Sequence, residues 1–216
     1  MKDIKAIRGS FYIARLIAEG EHEHQDFKYA ISDARKIARS VSAFANNDGG
    51  RLLIGVKDNG TVAGVRNEED IFVIEQAAQL YCRPEVELRF TAFRVDGGLT
   101  VIRAEIDRAT ARPVMAQEPD GRWRAYYRVA DENIVAPDLM VRAWRESDTP
   151  RLMRLTDAER KAMEILQRDG SLTVESVARA AAISHSTAAD ILVGLHSLGL
   201  VSFRYTHGAF ILVPAD

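Results

Sequence analysis

The spacing of hydrophobic residues alternates between helical and strand-like patterns through the first two thirds of the chain. Apolar residues three or four positions apart predict helices over residues 11–18, 32–45 and 69–81. Short apolar or alternating runs, bounded by turn residues, predict strands over residues 51–56, 61–65, 86–95, 99–106 and 123–129. Because several strands are joined by tight turns, we expect an α+β fold with a mixed, mostly antiparallel sheet.

The last third has a different pattern, in which helices come first and two strands follow. Helices are predicted over residues 156–168, 173–181 and 184–198, and a closing hairpin over residues 200–213. Three helices followed by a hairpin are typical of a small winged-helix domain. A polar stretch with a proline separates the two patterns. We therefore expect an α+β domain over 1–146, a linker over 147–154 and a winged-helix domain over 155–216.

Charge and cysteine content narrow the classes of protein that fit. The 216 residues include 29 Lys and Arg against 31 Asp and Glu, a formal net charge of -2, which excludes proteins that coat nucleic acid by bulk charge. The predicted winged-helix domain is also balanced between the two signs. A single cysteine, Cys82, excludes an internal disulfide, and the charged N-terminus lacks the pattern of a signal peptide. We expect a cytoplasmic protein without membrane contacts.

Residues 182–201 resemble the turn and recognition helix of winged helix-turn-helix transcription regulators. In that family the outward face of this helix enters the major groove of DNA. The resemblance implies nucleic-acid contacts from Arg179, Ser184, His185, Ser186, Thr187 and Arg204. No Lys or Arg occurs from Ser184 to Ser202, although Arg and Lys are common in major-groove contacts. The alternative is a winged helix that serves dimerisation or domain packing.

A second resemblance rests on short motifs in the predicted α+β domain. The motifs are an acidic residue before Phe27-Lys28, then Ala43-Phe44-Ala45-Asn46, Gly49-Gly50, Ile54-Gly55-Val56 and Tyr127-Arg128-Val129. Over residues 13–135 they resemble the Schlafen AlbA-like family, which is associated with DNA binding and occurs in bacterial transcription regulators. The resemblance implies Lys28 and Arg128 as further contacts. Together the two resemblances predict a homodimeric bacterial transcriptional regulator that binds double-stranded DNA.

Two other functions fit the same residues. Some Schlafen proteins are nucleases, and their pattern carried onto this chain places catalytic acids at Glu21, Asp26 and Asp58. Three converging carboxylates could hold Mg²⁺ or Mn²⁺ and activate water for cleavage of RNA or DNA. For the binding protein, which we favour over the enzyme, no cofactor is expected, and ATP binding is not expected without a Gly-Lys-Ser/Thr phosphate loop. The third possibility is a non-catalytic module that binds other proteins.

Overall fold

A computed structural model of the chain describes residues 4–29, 31, 33–65, 69–147 and 156–215. It contains two compact units, Met1–Ala136 and Pro137–Asp216. Ser32, the predicted start of the second helix, and residues 148–154 of the predicted linker lie outside the described residues. Within the described ranges, no helix is both long enough and apolar enough to cross a membrane.

The first unit combines helices with two β-sheets. Its helices are α1 (Ser10–Glu19), α2 (Ala34–Asn46) and α3 (Glu69–Leu80). Its strands are β1 (Ile7–Arg8), β2 (Gln25–Lys28), β3 (Gly50–Ile54), β4 (Cys82–Arg83), β5 (Leu88–Arg94), β6 (Thr100–Ile106), β7 (Met115–Gln117), β8 (Trp123–Val129) and β9 (Glu132–Val135). The larger sheet has the strand order β1-β5-β6-β3-β2, and the smaller sheet has the order β4-β7-β8-β9.

The strand directions confirm the predicted α+β class with a mixed, mostly antiparallel sheet. In the larger sheet, β1 runs parallel to β5 and β2 runs parallel to β3. The remaining pairs of both sheets are antiparallel. The strand predicted over residues 61–65, which would pair with the strand before it, is reduced to one antiparallel bridge between Val56 and Val62. Gly55 and Gly64, with positive φ values, turn the backbone out of strand geometry at this point.

Helix α2 contacts both sheets and forms the centre of the first unit. From Ile37 to Asn46, every residue except Arg39 is buried. Its apolar side chains, including Phe44, belong to the same buried cluster as Leu52 of β3. A helical stretch with almost every residue buried must satisfy its polar side chains inside the protein, since an unpaired buried polar group is costly.

Two asparagines at the end of α2 hold the smaller sheet against this helix. The Asn46 Nδ2 donates to the carbonyls of Val114 (2.9 Å) and Tyr126 (3.0 Å), and its Oδ1 accepts from the Val114 N–H (2.8 Å). Asn47 donates to the carbonyl of Arg128 (2.9 Å) and accepts from its N–H (3.1 Å). The asparagine of the Ala-Phe-Ala-Asn motif is therefore part of the structural link between helix and sheet.

The two glycines that follow have different roles. Gly49 has a φ of 79°, which a residue with a side chain rarely adopts. Gly50 has no such requirement, but a Cβ there would lie 2.3 Å from the ring carbon Cδ1 of Phe44. Gly50 is therefore needed for the close approach of β3 to a buried aromatic ring.

The second unit consists of four helices and a hairpin. They are α4 (Asp138–Glu146), α5 (Asp157–Asp169), α6 (Val174–Ala181), α7 (His185–Ser197), β10 (Val201–Thr206) and β11 (Ala209–Pro214). The last three helices and the hairpin occur in the predicted order, and Leu172 adds a bridge to Leu212 at the sheet edge. Helix α4 was not predicted; it packs against α7 and belongs to this unit, although its residues fall within the range 1–146 expected for the first domain.

Candidate functional site

The predicted acidic motif lies on β2 at the edge of the larger sheet, where Asp26 is only 4% exposed. Its carboxylate lies 2.7 Å from the Lys28 Nζ and 3.5 Å from the Arg128 Nη2. The Ser40 hydroxyl donates a further hydrogen bond of 3.2 Å. Two cations and a hydroxyl therefore already surround this buried carboxylate.

Arg128 is the larger of these two cations, and it is 1% exposed. Its Nη1 donates to the Asn133 side chain (3.0 Å), and its other nitrogens lie at the Gln25 (3.3 Å) and His22 (3.4 Å) carbonyls. Arg128 was predicted to contact nucleic acid, but its side chain is buried on the strand face covered by α2, over the ring of Phe44, which argues against that role.

Lys28, the second candidate contact on this domain, is also engaged within the fold. Its ammonium group pairs with Asp26 and donates to the Phe27 carbonyl at 2.8 Å. About a quarter of the side chain is exposed, 28% by area. A phosphate would have to compete with a buried carboxylate for this cation, which argues against Lys28 as an anchor.

Glu21 approaches the same carboxylate and shares a hydrogen bond with Asp26, while its Oε1 accepts from the Phe27 N–H at 2.8 Å. Burial and the contact with Asp26 raise the pKa of Glu21 to about 7. Burial alone would also raise the pKa of Asp26, but the hydrogen bond from Glu21 and the charge of Lys28 outweigh it and lower this pKa. Glu21 thus holds the proton of the pair.

The third predicted acid, Asp58, does not join this pair. It is exposed in the turn after β3. Among the residues that the structure describes, no group of three or more His, Cys, Asp or Glu side chains could hold a metal ion. A protonated Glu21 and an Asp26 enclosed by cations are unsuited to Mg²⁺ or Mn²⁺, which prefer open anionic oxygens. The geometry therefore does not fit the metal centre expected for the nuclease alternative.

The Glu21–Asp26 pair predicts a pH dependence of stability. The folded-state pKa of Glu21, about 7, lies above its ordinary value of 4.5. The stabilisation of the folded state by protonated Glu21 is therefore fully present below pH 4.5 and is lost as the pH rises through 7. We expect the free energy of unfolding of the first unit to decline between pH 5 and pH 8. Glu21→Gln, which is neutral throughout, should remove most of this decline.

Urea unfolding followed by the fluorescence of Trp123 measures this effect, with Trp144→Phe as a common background that removes the second tryptophan. Glu23→Gln is the matched control, because Glu23 is exposed on the same segment. An unchanged decline in Glu21→Gln would contradict the assignment of the proton to Glu21.

The predicted recognition surface in the second unit is exposed at the start of α7. The hydroxyl of Ser184 caps the helix by accepting from the Thr187 N–H at 3.1 Å, and the two side-chain hydroxyls lie 2.8 Å apart. The side chains of Ser186 and, on β10, Arg204 are exposed as well. The first turn of α7 therefore has exposed hydroxyl groups that could contact a ligand, although the Ser184 hydroxyl also caps the helix.

Two carboxylate–cation contacts on this unit were not predicted from the sequence. Glu175 lies 2.8 Å from the Arg179 guanidinium and 2.7 Å from the His185 ring, so both predicted contacts share one exposed carboxylate. On α4, the Arg142 guanidinium lies 2.5 Å from the carboxylate of Asp190. Without this partner, the negative charge of Asp190 would repel the phosphate oxygens of a nucleic acid. The (i, i+4) spacing of Glu175 and Arg179 was a readable signal, whereas the Arg142 contact depends on the packing of α4 against α7.

Two solved structures and one family model are similar to parts of this chain. The DIP2311 protein from Corynebacterium diphtheriae is 21% identical, with a TM-score of 0.45, over 73% of this chain and only 32% of its own length. The N-terminal domain of a RecG-related protein from Nitrosomonas europaea is 19% identical, with a TM-score of 0.41, over 69% of this chain and 98% of its own. No curated protein matches significantly. A model of the Schlafen AlbA_2 family matches residues 21–137, more than half of the sequence, and the chain therefore belongs to this family.

Proposed function

We propose that this protein binds double-stranded DNA through its second unit, acting as a winged helix, and regulates transcription in bacteria. The observation that carries the proposal is the exposed first turn of α7, where Ser186, Thr187 and His185 are open to solvent. In winged-helix regulators, the third helix of the domain is the recognition helix, and α7 is the third of the three helices that precede the hairpin. Hydroxyl and imidazole groups can contact base edges or phosphates, and helix N-termini favour anions.

Few cationic side chains lie near the start of α7 to pair with DNA phosphates, so the state of each one affects the expected affinity. Arg204 is exposed and forms no ion pair within the described part of the chain. Arg179 and His185 must exchange Glu175 for a phosphate on binding, and this competition weakens their contribution. We infer that Arg204 is the principal phosphate anchor and that the bases are contacted by the start of α7.

The first test measures how much Arg204→Ala weakens binding to duplex DNA. Oligonucleotides selected from a random pool supply the ligand, and fluorescence anisotropy over a salt series gives the affinity. Loss of one phosphate contact should weaken binding to all duplexes alike and reduce the slope of log K against log salt by about 0.9. Arg168→Ala removes an exposed arginine from α5 of the same unit and should leave both quantities unchanged.

No duplex binding at low salt, or equal binding by the Arg204→Ala variant and the unchanged protein, would contradict this function. A folded protein that does not bind DNA would favour the non-catalytic protein-binding module instead. The proposed homodimer is tested separately by light scattering, since paired recognition helices are needed to reach two half-sites one turn of DNA apart.

A further inference from the structure

The helix proposed for DNA recognition, α7, has buried residues on two opposite sides. Ala188, Leu192 and Leu195 lie on one side at helical spacing and belong to the apolar core of the second unit. Asp190 and Val193 lie on the opposite side, and Val193 is only 1% exposed. A surface helix normally buries one side and leaves the other to solvent. Beyond its exposed first turn, α7 is therefore covered on the side that a recognition helix turns toward DNA.

Helix α4 provides this cover. It packs against α7, and its Arg142 guanidinium lies 2.5 Å from the carboxylate of Asp190. The Nε of Arg142 donates to the Glu146 carboxylate at 2.8 Å, which holds the guanidinium in place. Leu139 of the same helix packs against the apolar core of the unit. An ion pair and apolar contacts therefore hold α4 against α7, and we call the side with Asp190 and Val193 the covered side of α7.

The dimensions of DNA do not allow α4 to keep this position while α7 lies in the major groove. The groove is about 12 Å wide, and one helix with its side chains is about 10–12 Å across. A second helix packed on the first has its axis about 8–10 Å away. The two helices together are therefore too wide for the groove, and α7 can lie along it only when α4 has left the covered side.

The contact between the two helices is of a kind that can open. The side chains of Arg142 and Asp190 are 38% and 53% exposed, and ion pairs this open to water and salt are weak. The first turn of α7 is already exposed in the closed arrangement, so a duplex can meet it before α4 moves. Opening therefore requires the loss of a weak ion pair and of the packing of one short helix.

We propose that α4 is an autoinhibitory helix, which covers the recognition side of α7 in the free protein and is displaced when the second unit binds duplex DNA. This inference rests on the proposed function and adds a regulation to the same site. Only the open fraction of the molecules can bind a duplex, so the apparent affinity is the intrinsic affinity multiplied by that fraction. A substitution that weakens the contact between α4 and α7 should therefore strengthen DNA binding, whereas removal of a phosphate-binding cation would weaken it.

The test uses Arg142→Ala in the full chain, with the selected duplex described above and fluorescence anisotropy. Loss of one exposed ion pair should tighten duplex binding about three- to fivefold, because it raises the open fraction. Arg145→Ala is the matched control, since it removes the same charge from an exposed position of α4. The control should bind like the unchanged protein.

A second measurement detects the opening without DNA. In a Cys82→Ser background, Val193→Cys places a thiol on the covered side, and Ala188→Cys places one in the apolar core of the same helix. Arg142→Ala should accelerate labelling at position 193 by the factor by which it tightens duplex binding of the same variant, since both report the open fraction. Labelling at position 188 requires unfolding of the unit and should not change.

Tighter duplex binding together with acceleration at position 193 alone is the expected result. Duplex binding that Arg142→Ala leaves unchanged or weakens would overturn autoinhibition by α4 and leave the proposed function standing. Equal acceleration at the two thiols would also overturn it, because the substitution would then loosen the whole unit. No duplex binding at low salt by either the unchanged protein or Arg142→Ala would overturn the proposed function and this inference together.

Discussion

Replacing Arg128 by alanine is expected to lower the free energy of unfolding of the first unit by about 3–5 kcal/mol. The reason is that the substitution removes a buried guanidinium with internal hydrogen bonds and leaves Asp26, 4% exposed, with Lys28 as its remaining cation. Breaking one side of a buried ion pair is costly, because the other charge stays in a medium of low polarity. Such a loss is a large fraction of the 5–15 kcal/mol typical of a folded protein.

Urea unfolding followed by Trp123 fluorescence, in the Trp144→Phe background, measures this loss. The thiol of Cys82 is a second reporter, since it is the only cysteine, is 1% exposed, and has a pKa raised by burial to about 12. Its labelling under native conditions should accelerate roughly 150- to 4000-fold, the range that corresponds to 3–5 kcal/mol. Arg124→Ala, an exposed position on the same strand, should change stability by no more than about 0.5 kcal/mol. Similar effects of the two substitutions would contradict the buried-pair interpretation.

Asn46→Ala is expected to lower the free energy of unfolding of the first unit by about 3 kcal/mol. The reason is that the buried Val114 N–H and Tyr126 carbonyl lose their hydrogen bonds to the Asn46 side chain. The Val114 carbonyl keeps the hydrogen bond from Ser42, at 2.8 Å, so the loss is not the sum of all the bonds removed. The smaller sheet should loosen first, since these bonds connect it to α2.

The same urea titration measures the effect, and hydrogen exchange of the β7 and β8 amides locates it. Gln79→Ala is the control, because it also removes an amide side chain but from an exposed position on α3. Stability within about 0.5 kcal/mol of this control would show that the motif asparagine has no structural role. Reduced ligand binding without a change in stability would assign it to a binding site instead.

The helices other than α4 and the longer strands were predictable because their patterns are local. Residues 32–45 carry apolar side chains at helical spacing, and α2 occupies almost the same range. The strands β1, β2, β4, β7 and β9 were not predicted, since two to four residues are too few to display a clear alternating pattern. Their strand geometry depends on hydrogen bonds to partners distant in the sequence, such as β4 with β7.

The candidate sites were less predictable than the fold. A strand has two faces, and sequence alternation does not say which of them a helix will cover. Arg124 and Arg128 lie four residues apart on β8 and therefore on the same face of that strand. Arg124 is exposed whereas Arg128 is only 1% exposed, because α2 covers only part of this face. Likewise, the pairing of Asp190 with Arg142 required α4 to pack against α7.

By itself, the sequence determined the element pattern of the two units, the α+β class and the family, since these follow from local periodicity, capping and short motifs. Only the tertiary structure decided which charges are available to a ligand. It enclosed Asp26 and Arg128 in the core, left Asp58 apart from them, and placed Arg142 against Asp190. The physical reason is that burial and partner choice arise from contacts between segments far apart in the chain, and these contacts set both the charge state and the accessibility of a side chain.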